Sequence, residues 1–208
     1  MATQKYDSSE VVLNAIIGAS GLRPTLAVLG AKKKLALANK ESLVVGGEIV
    51  MSLAREKGTT ILPVDSEHCA IFQCLRAGHH DEISRILLTA SGGPFRGYDR
   101  ARLAGVTLSG TLAHPTWQMG AKITVDSATL MNKGFEVIEA VRLFDIPAEQ
   151  VEVVVHPESI IHSAVEYIDN TVIAEMSVPD MRACVQYAMT YPARRPACIP
   201  PLDLFTLG

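Results

Sequence analysis

Apolar and polar residues alternate along the chain in short blocks that predict strands and helices in turn. Short apolar runs bounded by turn-forming residues predict strands at 11–17, 35–38, 59–64, 86–90 and 151–155. Segments with helical spacing predict helices from about 24 to 29, from 42 to about 56, from the turn 65–68 through 75, and around 107–113. Strands that alternate with helices are typical of a parallel sheet covered by helices. The pattern therefore predicts an α/β fold.

The last third of the chain predicts an antiparallel element. Two short runs, 164–167 and 172–176, flank Asp169-Asn170 and predict a β-hairpin. A helix is predicted from Asp180 to Tyr191. Four prolines then punctuate residues 192–208, which favours an extended linker over a packed element.

The stretch from Val125 to Ala140 reads as one helix that begins at Asp126 or Ser127. Either side chain can cap the free N–H groups of a first helical turn. That end of a helix carries partial positive charge and suits a phosphate. The apolar positions predict a stripe that faces the core and contains Leu130, Phe135, Val137, Ile138 and Leu143.

One turn further along, Asn132, Lys133 and Glu136 can share a face of this helix. Their spacings of three and four residues place them side by side. An amide, an ammonium and a carboxylate beside an anion-binding helix start would suit a phosphorylated, metal-chelating substrate. A surface helix with a Lys133–Glu136 ion pair is the simpler alternative.

Composition excludes several classes of protein. The chain has 208 residues, 48% hydrophobic and 20% charged, which is ordinary for a globular protein. A net charge of −3 gives no reason to expect nucleic acid, and no apolar run is long enough to cross a membrane. The cysteines lack zinc-site spacing and are expected to be buried, reduced thiols of a cytosolic protein: Cys69, Cys74, Cys184 and Cys198.

Polar residues follow three of the predicted strands. Lys40, the turn 65–67 and His156 each come directly after an apolar run. Ligands in open α/β sheets bind beyond the carboxyl ends of the strands. We therefore expect these residues at one edge of a sheet.

Three carboxylates are candidates for a metal site. Asp65 and Glu67 flank Ser66 in the predicted turn and can converge on a cation if the backbone there is not helical. Glu136 would complete a set of oxygen ligands that selects Mg²⁺ or Mn²⁺. Solvated turn charges are the alternative, since Asp-x-Glu alone is a weak motif.

Two loops are candidates for ligand contacts. Ser91-Gly92-Gly93 could face an anion with its N–H groups or could be a plain turn. The loop 114–120 holds Trp117, the only tryptophan, as core filler or as a lid over a ligand. His114 and His162 lie near the expected site, whereas three histidines are assigned to the surface or to helix ends: His68, His79 and His80.

Seven motifs in order along the chain resemble the 1-deoxy-D-xylulose 5-phosphate reductoisomerase family. They are ANKES at 38–42, PVDSEH at 63–68, SGGPFR at 91–96, HPTWQMG at 114–120, VDSATLMNKGFE at 125–136, HPESIIH at 156–162 and PDMR at 179–182. The resemblance implies an NADPH-dependent, metal-dependent enzyme of the non-mevalonate isoprenoid pathway. It would rearrange 1-deoxy-D-xylulose 5-phosphate and reduce the product to 2-C-methyl-D-erythritol 4-phosphate.

The resemblance also assigns residues. The metal ligands for Mg²⁺ or Mn²⁺ would be Asp65, Glu67 and Glu136, and these would act in catalysis with Lys40, His114 and Lys133. The sugar phosphate would contact Lys40, Ser66, Ser91, His114, Trp117, Ser127, Asn132, Lys133, Ser159, His162 and Met181, with Trp117 and Met119 in a flap that closes over it. NADPH would contact Asn39, Glu41 and Gly120.

The chain departs from the family at both ends. It lacks the glycine-rich dinucleotide fingerprint at its start and the helical bundle at its end. We therefore expect a partial sequence: residues 1–64 as the later part of a Rossmann-like NADPH domain with a parallel sheet, 65–191 as an α/β catalytic domain with a mixed sheet, and 192–208 as a linker. The isolated chain should oxidise NADPH weakly or not at all.

Partners and location follow from the same resemblance. We expect a homodimer in the complete protein, a small sugar phosphate as ligand, and no nucleic acid or membrane partner. Bacterial cytoplasm is the favoured compartment, with the plastid stroma as the other possibility. A non-catalytic sugar-phosphate-binding module and a structural α/β domain without a site remain as alternatives. Binding of Mn²⁺ and substrate would separate these two.

Overall fold

Two β-sheets form the framework of the protein. The structure, a computed structural model, describes residues 9–113, 115–117 and 119–206. The first sheet is parallel, in the order β1-β2-β3, with strands β1 (Val11–Asn14), β2 (Lys34–Leu37) and β3 (Ile61–Pro63). The second sheet, in the order β5-β4-β6-β7, has strands β4 (Ile83–Ala90), β5 (Val151–Val155), β6 (Ile161–Tyr167) and β7 (Val172–Met176). In it β5 is parallel to β4, whereas β4–β6 and β6–β7 are antiparallel. The predicted α/β fold, a parallel sheet followed by a mixed one, is confirmed.

Eight α-helices connect and cover the strands in the part of the chain that the structure describes. They are α1 (Leu22–Gly30), α2 (Glu41–Lys57), α3 (Ser66–Cys74), α4 (Arg100–Leu103), α5 (Leu108–Thr111), α6 (Ala121–Ala128), α7 (Met131–Phe144) and α8 (Met181–Thr190). Gly58 follows α2 with φ +62°, the left-handed conformation that ends many helices. The helix predicted from Asp180 to Tyr191 is present as α8, and the side chain of Asp180 accepts a hydrogen bond from the Arg182 N–H and caps it. Among the helices of the described residues, none is long and apolar enough to cross a membrane.

The predicted single helix over 125–140 is wrong, because two helices share this stretch. The first, α6, ends at Ala128, and Leu130 has φ +59° before α7 begins at Met131. A left-handed residue interrupts the ladder of helical hydrogen bonds. Asp126 and Ser127 therefore lie in the last turn of α6, not at a helix start, and the predicted phosphate-binding helix mouth is not formed at these two residues.

The apolar stripe predicted for this region is only partly buried. Val137 and Leu143 pack against the core, whereas Leu130 and Ile138 are 47% and 39% exposed. The buried positions of α7 include Lys133, Glu136 and Glu139 instead. The inward face of this helix is therefore largely charged.

Helix α7 lies between two hydrophobic cores. One core is built on β4 and β6 and includes Ile86, Leu88 and Val165, and the other is built on β2, α1 and α2. Leu143 packs against both. Each fully buried leucine or isoleucine stabilises the fold by about 1.5–3 kcal/mol. This packing fixes α7 relative to both sheets.

The polar segment that follows β3 is more helical than predicted. Asp65 precedes α3, but Ser66 and Glu67 form its first turn, so the non-helical turn expected there is wrong. Helix α3 packs against both β3 and the second sheet, through β4, β6 and β7. The segment therefore sits between the sheets.

The cysteines differ in their exposure. All four cysteines are free thiols; Cys69 and Cys74 are buried as expected, but Cys184 is only partly buried and Cys198 is exposed, because it lies in the irregular tail. Within residues 192–206 the only helix or strand is a short 3₁₀ helix at Leu204–Thr206.

Candidate functional site

Three carboxylates from separate parts of the chain converge between the two sheets. Asp65 follows β3, Glu67 lies in the first turn of α3, and Glu136 lies on α7. One ligand oxygen from each lies within 4.8 Å of the other two. Glu136 is 1% exposed, whereas Asp65 and Glu67 are 13% and 18% exposed. The convergence of β3, α3 and α7 brings these residues together.

Lys40 contacts two of these carboxylates. It lies directly before α2, and its Nζ is 2.7 Å from Asp65 Oδ2 and 2.7 Å from Glu136 Oε1. The same ammonium donates a hydrogen bond of 2.9 Å to Asn132 Oδ1. Lys40 is nearly buried, so its charge acts on these oxygens with little screening by water.

Lys133 contacts the other side of the carboxylate group. Its Nζ donates a hydrogen bond of 2.9 Å to Glu67 Oε1 and further bonds to Glu136 Oε2 and the Thr89 carbonyl. The predicted shared face of Asn132, Lys133 and Glu136 is present, and Asn132 donates to Glu136 Oε1. The positive charges of two ammonium groups thus partly offset the negative charge of the three carboxyl groups.

Burial and charge act on these groups in opposite directions. Burial opposes ionisation of Asp65 and Glu67, but the charges of Lys40 and Lys133 respectively outweigh it and hold the pKa of each carboxyl below its usual range. For Glu136, burial and the neighbouring Glu67 raise the pKa above its usual range. Asp65 and Glu67 are therefore carboxylates at neutral pH, the form that a metal ion requires.

His68 and Glu139 belong to this cluster, although sequence reasoning assigned no role to His68 and did not consider Glu139. His68 is fully buried, not at the surface, with Nε2 2.9 Å from the Glu136 carbonyl oxygen. Its Nδ1 lies 3.5 Å from Asp65 Oδ2 and 3.4 Å from Glu139 Oε2.

Burial would lower the pKa of His68, but the Glu139 and Asp65 carboxylates raise it to about 9. Burial raises the pKa of Glu139 to about 7. The spacing of three residues from Asp65 to His68 and from Glu136 to Glu139 was an available signal.

A cavity of about 220 Å³ opens beside the carboxylates. Most of the residues predicted to contact substrate line it: Lys40, Ser66, Ser91, Trp117, Ser127, Asn132, Lys133, Ser159, His162 and Met181. Ser127 reaches the cavity from the end of α6, not from the helix start that was predicted there. His114 lies outside the described residues.

The walls of this cavity combine polar and apolar groups. The Trp117 ring contacts the His162 ring, with centroids 6.1 Å apart, and Met119 and Met181 add apolar surface. His162 is 5% exposed, and its Nε2 lies 3.2 Å from the Ser177 carbonyl oxygen. Large apolar side chains beside serine hydroxyls suit a small, mostly polar ligand that must be shielded from water.

His156 does not share a sheet edge with Lys40 and Asp65, so that expectation is wrong. It follows β5 of the second sheet, whereas they follow β2 and β3 of the first. Its Nε2 accepts hydrogen bonds of 3.2 Å from the Ile160 and Ile161 N–H groups. His156 therefore shapes the loop that carries Ser159. His79 and His80 are exposed, as predicted.

A second cavity of about 280 Å³ lies against the first. It is lined by Asn39, Glu41 and Gly120, the residues predicted to contact NADPH. The Asn39 amide donates to Glu41 Oε2 at 2.9 Å and to the Ile16 and Gly18 carbonyl oxygens. The two cavities share four lining residues: Ala38, Lys40, Ile123 and Asn132.

Comparison with sequence profiles of known families gives two matches. Residues 1–47 match the profile described as 1-deoxy-D-xylulose 5-phosphate reductoisomerase. Residues 61–144 match the profile of the 1-deoxy-D-xylulose 5-phosphate reductoisomerase C-terminal domain. The second match contains all three converging carboxylates.

Curated relatives carry the same name. The protein of Exiguobacterium sibiricum is 57% identical over 194 residues, which cover 93% of this chain and 50% of the relative. The protein of Chlorobium chlorochromatii is 58% identical over 198 residues, 95% of this chain and 52% of the relative. Both are named 1-deoxy-D-xylulose 5-phosphate reductoisomerase.

Solved structures agree with the sequence relatives. A crystal structure of DOX-P reductoisomerase in complex with NADPH, fosmidomycin and magnesium superposes with a TM-score of 0.91 at 45% identity, over 97% of this chain and 52% of that one. The Zymomonas mobilis reductoisomerase in complex with NADPH gives 0.88 at 48% identity, over 96% of this chain and 51% of that one. The chain spans about half the length of the relatives that it matches. Sequence profiles, relatives and fold point to one group, and the chain belongs to the 1-deoxy-D-xylulose 5-phosphate reductoisomerase family.

Proposed function

We propose that this chain carries the metal and substrate site of an NADPH-dependent enzyme that converts 1-deoxy-D-xylulose 5-phosphate to 2-C-methyl-D-erythritol 4-phosphate. The observation that carries the proposal is the convergence of Asp65, Glu67 and Glu136 at the wall of a cavity lined with serine hydroxyls. A phosphorylated sugar needs both features, since a hard cation holds its oxygens and hydroxyl donors hold its phosphate.

The donor set suits magnesium or manganese. Asp65, Glu67 and Glu136 offer only carboxylate oxygens, which these ions prefer, and they lie close enough together for a single ion. Related reductoisomerases are solved as magnesium complexes. When bound, the ion would act as a Lewis acid toward the carbonyl and hydroxyl oxygens of the substrate.

The two lysines would place positive charge where the substrate gains negative charge. Lys40 and Lys133 both reach the carboxylate group, and both line the cavity. The neighbouring carboxylates outweigh desolvation and raise the pKa of both lysines above the usual range. Each therefore stays a cation, donates hydrogen bonds to substrate oxygens and does not act as a base. A fixed charge in a site of low polarity stabilises a developing oxyanion strongly.

The serine side chains and the Asn132 amide would hold the phosphate. Ser91, Ser127, Asn132 and Ser159 all line the cavity. Hydroxyl and amide donors bind phosphate oxygens without adding charge. The Trp117 and Met119 side chains would close over the bound sugar and exclude water from the reacting carbons.

The adjoining cavity would hold NADPH, with Asn39, Glu41 and Gly120 in contact with it. NADPH would supply a hydride to the aldehyde formed by the rearrangement. Because the two cavities share Lys40 and Asn132, a dinucleotide in one would lie beside a sugar in the other. We also propose that the complete protein is a homodimer, which light scattering would test.

Binding measurements test the proposal directly. We expect the chain to bind Mn²⁺, and then fosmidomycin, in isothermal titration calorimetry. Glu136→Gln should weaken Mn²⁺ binding at least tenfold, because one of three ligands is lost. The matched control is Glu48→Gln, which makes the same charge change at a side chain that is 81% exposed. Absence of Mn²⁺ and fosmidomycin binding to the folded wild-type chain would refute the proposal.

A sugar-phosphate-binding role without reduction is the second candidate. The observation that favours it is that all three carboxylates line the first cavity and none of them lines the second, so a sugar phosphate can bind without NADPH. An NADPH oxidation assay separates the two candidates. The chain is mixed with NADPH, 1-deoxy-D-xylulose 5-phosphate is added, and the loss of NADPH absorbance is measured. Turnover supports the enzyme, and substrate binding without turnover by this chain supports the binding module.

A further inference from the structure

Glu139 is a buried carboxylate that the proposed chemistry does not use. It lies on α7, one turn after Glu136, with its side chain fully enclosed. Among the described residues no hydrogen bond reaches either of its oxygens. Its closest charged partner is His68 Nδ1, at 3.4 Å. Burial of such a group is costly unless another polar group interacts with it, and His68 is the group that lies nearest to it.

His68 connects Glu139 to the three converging carboxylates. Its Nε2 is 2.9 Å from the main-chain carbonyl oxygen of Glu136, and its Nδ1 is 3.5 Å from Asp65 Oδ2. Both ring nitrogens thus face oxygen atoms, and the nitrogen that faces Asp65 also faces Glu139. The ring stacks on Phe144 at 6.2 Å and 15° between planes, which limits its movement out of this plane.

We propose that Glu139 is a positioning residue that acts through His68. Its carboxylate holds the imidazole so that the ring fixes the Asp65 carboxyl group on one side and the Glu136 main chain on the other. The distance between the Asp65 and Glu136 ligands, and therefore the fit to a divalent ion, would depend on Glu139. This inference rests on the proposed metal site. Polar groups outside the ligand set orient metal ligands in many proteins, and ligating carboxylates are commonly held by such partners.

The apolar surroundings make the effect separable from folding. His68 stacks on Phe144, which belongs with Ile71 and Ala140 to the core around the second sheet. Replacement of Glu139 by glutamine keeps the volume and removes the charge. The ring then loses the charge that holds it toward Asp65, while the helices remain packed.

The test is Mn²⁺ binding by calorimetry, with a double-mutant cycle. We expect Glu139→Gln to raise the Kd for Mn²⁺ about 10–100-fold, the range found when outer partners of metal ligands are removed. His68→Gln should have a similar effect. The double variant should bind no more weakly than His68→Gln alone, because Glu139 acts only through the ring. Glu48→Gln is the control for the change in charge, and its Kd should equal that of the wild type.

Thermal unfolding is recorded for every variant. A residue that only stabilises the fold would lower the melting temperature and leave the Kd of the folded protein unchanged, whereas a positioning residue changes the Kd. If Glu139→Gln does not fold, the double variant, which removes both charges together, is compared with His68→Gln, and equal Kd values are expected.

The outcomes separate this inference from the proposed function. Wild-type affinity in Glu139→Gln, together with lost binding in Glu136→Gln, would overturn the role of Glu139 and leave the metal site standing. Independent, multiplicative effects in the double variant would also overturn it, since Glu139 would then act directly. Absence of Mn²⁺ binding in the wild-type chain would overturn the metal site and, with it, this inference.

Discussion

Alanine in place of Gly93 should push apart two parts of the substrate cavity. Gly93 has φ +68° in the loop that carries Ser91. A Cβ there would lie 2.7 Å from the Ser127 carbonyl oxygen and 3.3 Å from Ala128 Cα. These are main-chain atoms at the end of α6, so they cannot turn away as a flexible side chain would.

The expected cost has two parts. A non-glycine residue in the left-handed region costs about 1–2 kcal/mol. Overpacking against a fixed backbone costs about 1–3 kcal/mol more. The sum corresponds to a fall in melting temperature of roughly 4–20 °C, at about 2–4 °C per kcal/mol for a chain of this size. The loop can also relax by moving away from α6, which would separate Ser91 from Ser127.

Gly97→Ala is the matched control, because Gly97 has φ +79° but no atom within 4 Å of the point that a Cβ would occupy. It should show only the cost of the positive φ. Urea unfolding followed by circular dichroism gives both free energies, and calorimetry gives the affinity for fosmidomycin. We expect Gly93→Ala to lose more stability and more affinity than Gly97→Ala. Equal losses in the two variants would falsify the argument from the close approach of Gly93 to α6.

Four further predictions concern the core around the second sheet and the thiols. Leu88→Ala should lower the free energy of unfolding by about 2–5 kcal/mol in urea, because Leu88 is fully buried in that core. Tyr167→Phe removes a buried hydrogen bond of 3.0 Å to the Cys74 carbonyl oxygen and should cost about 1 kcal/mol in the same assay. In mass spectrometry after treatment with iodoacetamide at pH 8, the exposed Cys198 should be alkylated and Cys74 should not, since burial raises the pKa of the Cys74 thiol to about 11. The Cys74 thiol has a higher pKa in the folded chain, about 11, than its ordinary value of 9.0. The stability that the neutral thiol allows is therefore complete below pH 9.0 and is lost as the pH rises through about 11. A Cys74→Ser variant should show a smaller loss of unfolding free energy over that range.

The strands were more predictable than the helix boundaries. Short apolar runs placed β2 and β3, because buried strands of a parallel sheet are nearly continuous in apolar residues. Apolar runs also placed β5 and the β6–β7 hairpin, although β5 and β7 are largely exposed. The break between α6 and α7 was missed because it falls at Leu130, where the sequence has neither glycine nor proline. Only the surrounding structure holds a leucine in the left-handed conformation there.

Only some of the contacts in the candidate site could be predicted from local sequence patterns. Lys133 and Glu136 could be paired from helical spacing alone, because both lie on α7. Their meeting with Lys40, Asp65 and Glu67 depends on how two sheets pack, and local patterns carry no such information. Residue chemistry offered Asp65, Glu67 and Glu136 only as one of two alternatives, and the resemblance to a family favoured that grouping. His68 was missed because a single histidine in a helix has no pattern that distinguishes a buried position from an exposed one.

The Leu143 side chain of α7 packs against both hydrophobic cores. A disturbance on either side of that residue is therefore transmitted to the other, and the parallel and mixed sheets should melt in a single cooperative transition. Amide hydrogens of α7 should then be among the slowest in the chain to exchange with deuterium, because their exposure requires both halves to open together.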